Sequence, residues 1–288
     1  MRMGVPCIAC FVRQAVETVQ RATDDPGLQL LVMKEVCSLV RDVTPGTTPP
    51  DFAEQLYSTV YRMTGNLDPF HADKREANAL VLGLEPGLRK EVERSGDPLL
   101  SVIKLSIAGN SMDLGVVREY GDVGGIAERV LSSELALDDY ESLVARLRSA
   151  DHVTVVGDNN GEVVFDRMLL EQLRRVRDCR YTYVVRGGPV INDVTRDDAL
   201  EVGIDRLADV VDSGSRAPGL VLARCSEEAR RVFLDADLVV SKGQGNYESL
   251  SDAPREVFFL LLVKCGVVSH DLGAPVGGAV VARHSVDG

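Results

Sequence analysis

The sequence predicts an α/β protein, helical in its first part and built of alternating strands and helices in its second. Two observations carry this. Up to about Ala150, apolar residues recur at helical spacing in runs opened or closed by Pro, Asp or Gly, and little reads as a strand. From Asp151 onward, short β-branched or apolar runs closed by a polar residue or Gly alternate with helical segments. That grammar implies βαβ units and a mostly parallel sheet. The strands are apolar on both faces, as expected when helices cover both sides.

In order, "LQLLVMKEVCSLVRDV" (28–43) stops as a helix before Pro45, and "TPGTTPP" (44–50) is a stiff connector. "PDFAEQLYSTVYRMTG" starts on Pro-Asp and ends on Gly65. "DPFHADKREANALVLGL" repeats the pattern, and "DPLLSVIKLSIAGNSMDLG" opens on Asp97-Pro98 and reaches Gly109-Asn110. The predicted strands are "HVTVVG", "RYTYVVRG", "ADVVDSG", "ADLVVSKG" and "VFFLLLVKCG", with helices such as "FDRMLLEQLRRVRD" and "SEEARRVFLDA" between them.

A chain of 288 residues holds one large domain or two modest ones. A net charge of −12 argues against gripping nucleic acid or an anionic membrane through a basic surface. It does not forbid an anionic substrate, because a local cation cluster or a metal overrides the global field. No run approaches the roughly 18 apolar residues of a membrane helix, and the N-terminus reads as no signal peptide. Six scattered cysteines are not a disulfide framework and suit a reducing cytoplasm.

In parallel α/β sheets, ligands bind beyond the carboxyl ends of the strands. There the sequence places Asp158, Asn159 and Glu162 after the first predicted strand, and Asn192 and Asp193 after the second. Lys242, Gly243 and Asn246 follow the fourth, and Lys264 the fifth. Asp158, Asn159 and Asp193 are hard oxygen ligands suited to Mg²⁺ or Mn²⁺. Singly, "DNNG" is a turn and "ND" a helix start; together, with strand-end placement repeated, they favour a site. Lys242 in "SKGQGN" combines a point charge with glycines that let backbone N–H groups approach phosphate, or is a solvated lysine in a flexible turn. Lys264 ends the most apolar run, where a charge needs a partner or ligand, or else snorkels. Asn110 and Asp113 share a face if helical, or cap a helix near Gly109. Asn78 reads as facing water, and Asp166 as an ordinary residue of the following helix. Cys7 and Cys10 form a single CxxC, weak for zinc and lacking thioredoxin-like context; buried small hydrophobes are the plain reading, and a redox-regulated or metal-clipped pair is the alternative. Cys265, beside Lys264, is a further half-buried thiol. No GxxxxGK[ST], GxGxxG or GxSxG occurs, which disfavours P-loop, dinucleotide and serine-hydrolase chemistry.

The segments "MGVPCIACFVRQA", "DKREANALVL", "IAGNSMDLG", "GDNNGEVVFD", "RGGPVINDVT", "SKGQGNYE" and "LLLVKC" occur in the order seen in the DUF89 family. The chain resembles its damage-control phosphatases, related to ARMT1-like proteins, from Cys7 to Lys264, and the CxxC resembles the prokaryotic branch. The resemblance implies an all-helical N-terminal domain (1–150) contributing a lid, and a three-layer αβα, Rossmann-like domain (151–288). It implies a metal-dependent phosphatase of small phosphorylated metabolites. Asp158, Asn159 and Asp193 would bind the divalent ion (Mn, Mg, Co or Ni), and Glu162 would contact substrate. Lys242, Gly243, Asn246 and Lys264 would hold phosphate, with Asn110 and Asp113 nearby. The eukaryotic branch carries an RTxK motif where this chain has "LLLVKC", so sugar-phosphate specificity does not follow. The rival reading is a non-catalytic binding module or an S-adenosylmethionine-dependent methyltransferase; the latter is disfavoured by the absence of a Gly-rich cofactor loop after the first strand.

Overall fold

The computed structural model describes residues 1–109 and 123–285. Three helices come first: α1 (Val5–Ala22), α2 (Pro26–Leu39) and α3 (Pro49–Thr64). Each carries proline in its first turn, where no N–H is missed. The Asp25 side chain accepts from the Gly27 and Leu28 amides, and Thr48 from that of Asp51, capping α2 and α3. Gly65, at φ 72°, supplies the left-handed residue that ends α3. Phe11, Ala15, Phe52, Leu56, Tyr57 and Val60 form the core of this group.

Next come α4 (His71–Arg94), α5 (Pro98–Gly109), α6 (Val123–Ser132) and α7 (Tyr140–Ser149). Helices α4, α5 and α7 do not join the first core. Val81, Leu88, Ile103 and Leu143 pack with Val153, Val155 and Phe258 of the sheet. By packing, therefore, α1–α3 close a core of their own, while the later helices of the first 150 residues cover one sheet face.

The seven strands described are β1 (Leu137–Asp138), β2 (His152–Val156), β3 (Arg180–Val185), β4 (Asp209–Asp212), β5 (Leu238–Lys242), β6 (Val257–Leu262) and β7 (Ala279–His284). Their order is β1-β7-β6-β5-β2-β3-β4, and every pair is parallel except β6–β7. The five predicted strands are β2–β6. Strand β1 is too short to carry a pattern, and β7 returns antiparallel along β6 instead of making a βαβ step.

Helix α8 (Glu162–Val176) joins α4, α5 and α7 on the first face, while α9 (Arg196–Glu201) precedes β4. Helices α10 (Glu227–Leu234), α11 (Gln244–Leu250) and α12 (Gly266–Leu272) cover the other, around Phe233, Val239, Leu250, Phe259 and Val268. The result is a three-layer αβα arrangement, but α4, α5, α7 and strand β1, all before residue 151, belong to it, so the first 150 residues are neither all-helical nor a separate layer. No described helix is long and apolar enough to cross a membrane.

The chain runs β2–β3–β4 toward one edge, then returns to place β5 on the other side of β2. Between β2 and β5 the order reverses, and their carboxyl ends diverge into a crevice.

Candidate active site

Leaving β2, the chain is pinned to the loop that follows β3. The Asn160 amide donates to the Asn192 carbonyl (2.8 Å), and the Val194 amide to that of Asp158 (2.9 Å). Asn159 and Asp193 form an isolated antiparallel bridge. Predicted residues from two loops thus meet. Asn78 of α4 is not in water but buried: its side chain donates to Asn160 Oδ1 (2.8 Å) and accepts from the Gly161 amide (2.5 Å). The first helix on the sheet therefore clamps the β2 loop. Nearby Ile191 has φ 43°, the one positive φ outside glycine among the described residues, and its amide donates to the Tyr61 hydroxyl of α3 (3.1 Å). Such a conformation persists only where its surroundings hold it.

Arg186, not anticipated from the sequence, lies at the base of this constellation and is 1% exposed. Its Nε donates to Asp193 Oδ2 (2.6 Å) and its Nη2 to Asp158 Oδ1 (3.3 Å), while Nη1 is buried without a partner. Asn159 donates its side-chain amide to Asp158 Oδ2 (2.7 Å). Burial pushes Asp193 up to about 7; Arg186 opposes this and Asp158 adds to it. Arg186 occupies the end of β3 as Lys264 occupies the end of β6, so a charge closing a buried run was its visible signal.

The expected phosphate contact of Lys242 is not what the structure shows. Lys242 is fully buried and donates to Glu162 Oε1, Asp166 Oδ1 (2.8 Å) and the Ser106 carbonyl (3.3 Å). Burial alone would pull its ammonium down; Asp166 and Glu162 together outweigh that and hold it above its ordinary value. Asp166, read as an ordinary helix residue, also accepts from the Ser106 and Tyr183 hydroxyls (2.8 and 2.7 Å) and is a fully buried counterion. Glu162 leaves Oε2 buried and unpartnered. Burial pushes Glu162 up to about 8, with Lys242 opposing and Asp166 and Asp158 adding.

Gly243 and Asn246 are likewise committed to the scaffold. The Gly243 amide donates to the Leu260 carbonyl (3.0 Å). The Asn246 side chain donates to the Gly157 and Lys242 carbonyls (2.9 and 2.7 Å) and accepts from the Leu220 amide (2.9 Å). Gly243 is required for another reason. Its φ is 76°, and a Cβ there would lie 1.9 Å from Asp158 Oδ2. Gly243→Ala is therefore expected to displace Asp158 and lower kcat/KM at least about 100-fold, since misplacement of about 1 Å costs that much; steady-state kinetics on folded protein checks it.

Above these groups opens a cavity of about 800 Å³. Asp158, Asn159, Asp193 and Lys264 line it from the sheet edge, and α1 and α3 wall it through Phe11, Gln14 and Ala53. Cys7, Cys10 and Cys265 also line it, as half-buried thiols. Burial pushes the Cys7 thiol up. Glu248, at the same wall, is pushed up to about 7 by burial. Glu162 and Lys242 lie outside this lining. Asn110 and Asp113 lie outside the described residues.

The site floor holds four carboxylates (Asp158, Glu162, Asp166, Asp193) with two buried cations (Arg186, Lys242). Burial, with the excess of negative charge adding to it, explains why Asp193 and Glu162 resist ionisation. A divalent cation would supply the missing charge, and two carboxylates beside an amide form the oxygen-rich donor set that such ions take.

Residues 4–280 match the family model of the damage-control phosphatase ARMT1-like domain. A damage-control phosphatase of Archaeoglobus fulgidus is 31% identical over 97% of this chain and 98% of its own. That of Pyrococcus horikoshii is 28% identical over 99% of each. The crystal structure of a DUF89 family protein from Pyrococcus horikoshii superposes with a TM-score of 0.93 at 28% identity, covering 99% of this chain and 100% of that one.

Proposed function

From its place in the damage-control phosphatase ARMT1-like family, to which the chain belongs, we propose that it is a divalent-metal-dependent phosphatase of small phosphorylated metabolites. The observation that carries the reading is the pair of buried carboxylates, Asp158 and Asp193, converged on Arg186 at the β2–β5 crevice and lining a cavity of metabolite size. Asp158, Asn159 and Asp193 would hold the ion; their oxygen-rich chemistry suits Mg²⁺ or Mn²⁺, with Co²⁺ and Ni²⁺ to be tested beside them. Such an ion, when bound, offsets phosphoryl charge and acidifies a water.

The remaining work belongs to the side chains. Arg186 keeps the two carboxylates converged. Lys264, on the cavity wall, pairs with phosphoryl oxygens as charge builds on them. Asp193 lines the cavity and orients the attacking water, a task Glu162 is too enclosed to share. Lys242 holds Glu162 and Asp166 beneath the site. In this reading residues 1–150 furnish the outer wall through α1 and α3, residues 151–288 the floor, and the enzyme serves housekeeping in the cytoplasm.

The direct test is phosphate release from p-nitrophenyl phosphate and a phosphometabolite panel by chelator-treated protein, alone and with Mn²⁺, Mg²⁺, Co²⁺ or Ni²⁺. Release restored by a metal supports the proposal; no release with any metal overturns it.

A pH effect accompanies it. Asp193 and Glu162 sit above their ordinary values of 3.8 and 4.5, so their contribution to stability is full below those values and is lost as pH rises through about 7 and 8. The Tm of chelated protein is expected to fall between about pH 5 and 8.5, and saturating Mn²⁺ to raise it more at the higher pH. Scanning calorimetry with and without the ion checks both signs.

A further inference from the structure

Three thiols line the cavity from two sides. Cys7 and Cys10 stand one turn apart on α1, and Cys265 lies directly after Lys264 and directly before α12. The start of α1 lies against α12. A Cβ on Gly4, the residue before α1, would lie 3.7 Å from Val267 Cγ2 on α12. The Cys7 amide donates to the Gly4 carbonyl (3.0 Å), so Cys7 sits one turn further along α1, while Cys265 sits two residues before Val267. Cys265 is also wired to the site. Gln244 donates through Nε2 to its sulfur (3.6 Å) and accepts through Oε1 from the Lys264 amide (2.9 Å). Proximity shows in the charge balance of Cys7, where Glu248, Cys265 and Cys10, in that order, add to the effect of burial.

We propose that Cys7 and Cys265 are a disulfide-forming pair that closes the cavity when the protein meets a small oxidised disulfide such as glutathione disulfide. One thiolate attacks the oxidant and forms a mixed disulfide, expelling one small thiolate. The second protein thiolate attacks the protein sulfur of that mixed disulfide and expels the other. Two protein thiols and one disulfide become one protein disulfide and two small thiols. The bond requires Cα atoms about 4.4–6.8 Å apart. It therefore ties the start of α1 to the strand end carrying Lys264, at the wall of the cavity that Asp158 and Asp193 line. Because burial pushes the Cys7 thiol up, the reaction is slow at neutral pH and needs an oxidising excess.

The effect on activity rests on the phosphatase reading; the cross-link does not. Full-length protein is titrated with glutathione disulfide, and alkylated, non-reduced peptides are mapped by mass. The expected result is a Cys7–Cys265 bond, hydrolysis of p-nitrophenyl phosphate lowered at least about tenfold, and recovery with dithiothreitol. Cys265→Ser and Cys7→Ser are expected to stay active in the oxidant, and Cys10→Ser to lock like wild type. A mapped Cys7–Cys10 bond, locking of Cys265→Ser, or a Cys7–Cys265 bond that leaves turnover unchanged would each overturn the proposal. Mass mapping reports the bond even in a protein that hydrolyses nothing, which separates this failure from failure of the phosphatase reading.

Discussion

Asp158→Asn is expected to lower metal-dependent kcat/KM about 10³-fold, equivalent to about 4 kcal/mol of transition-state stabilisation. Asparagine keeps the volume and one acceptor for Arg186 but removes the charge that would bind the ion, whose contribution to catalysis is several kcal/mol. The same change relieves part of the negative excess on the floor, where Asp158 raises both Asp193 and Glu162. Chelated Asp158→Asn protein should therefore melt no lower than chelated wild type. Kinetics with saturating Mn²⁺ and a melting curve without it separate loss of chemistry from loss of fold. Turnover near the wild-type level would remove Asp158 from the mechanism.

Lys242→Met should show the opposite profile, with the larger effect on stability. It leaves Glu162 and Asp166 buried at 1% and 0% exposure without their cation, a change that costs about 3–5 kcal/mol when one partner of a buried pair is removed. Both carboxylates can be protonated, so the loss should shrink at low pH. Urea unfolding at about pH 7.5 and 5.5 measures the difference, and adding Glu162→Gln should recover part of it. A loss below about 1 kcal/mol would mean that Lys242 is not the counterion the geometry makes it, and would reopen a phosphate contact.

These two residues mark where the sequence was readable. Asp158, Asn159 and Asp193 were legible because oxygen-bearing residues repeatedly followed buried β-branched runs, and a parallel sheet brings such ends to one edge. Lys242 was legible as a strand end and misread in direction. It still belongs to β5, pairing with Leu260, and alternation puts it on the face of Leu238 and Val240. That face packs on α5 and α8, where Glu162 and Asp166, four residues apart on one helix, await it. Asn246 offered no comparable sign, because its three backbone partners come from Gly157, Lys242 and Leu220. Asn78 reads as facing water because the residues it meets lie more than eighty positions away. Strands β1 and β7 carry no such signal, because one is two residues long and the other, between β1 and β6, pairs antiparallel with β6 instead of completing a βαβ step.

The central claim is that Asp158 and Asp193 together hold one divalent ion beneath the cavity. Titrating chelator-treated protein with Mn²⁺ and following the free ion by its electron paramagnetic resonance tests it without any substrate. The expected result is one saturable site in the wild type, weakened at least about 100-fold in both Asp158→Asn and Asp193→Asn. Unaltered Mn²⁺ binding in either folded variant, or no saturable site in the wild type, would contradict it.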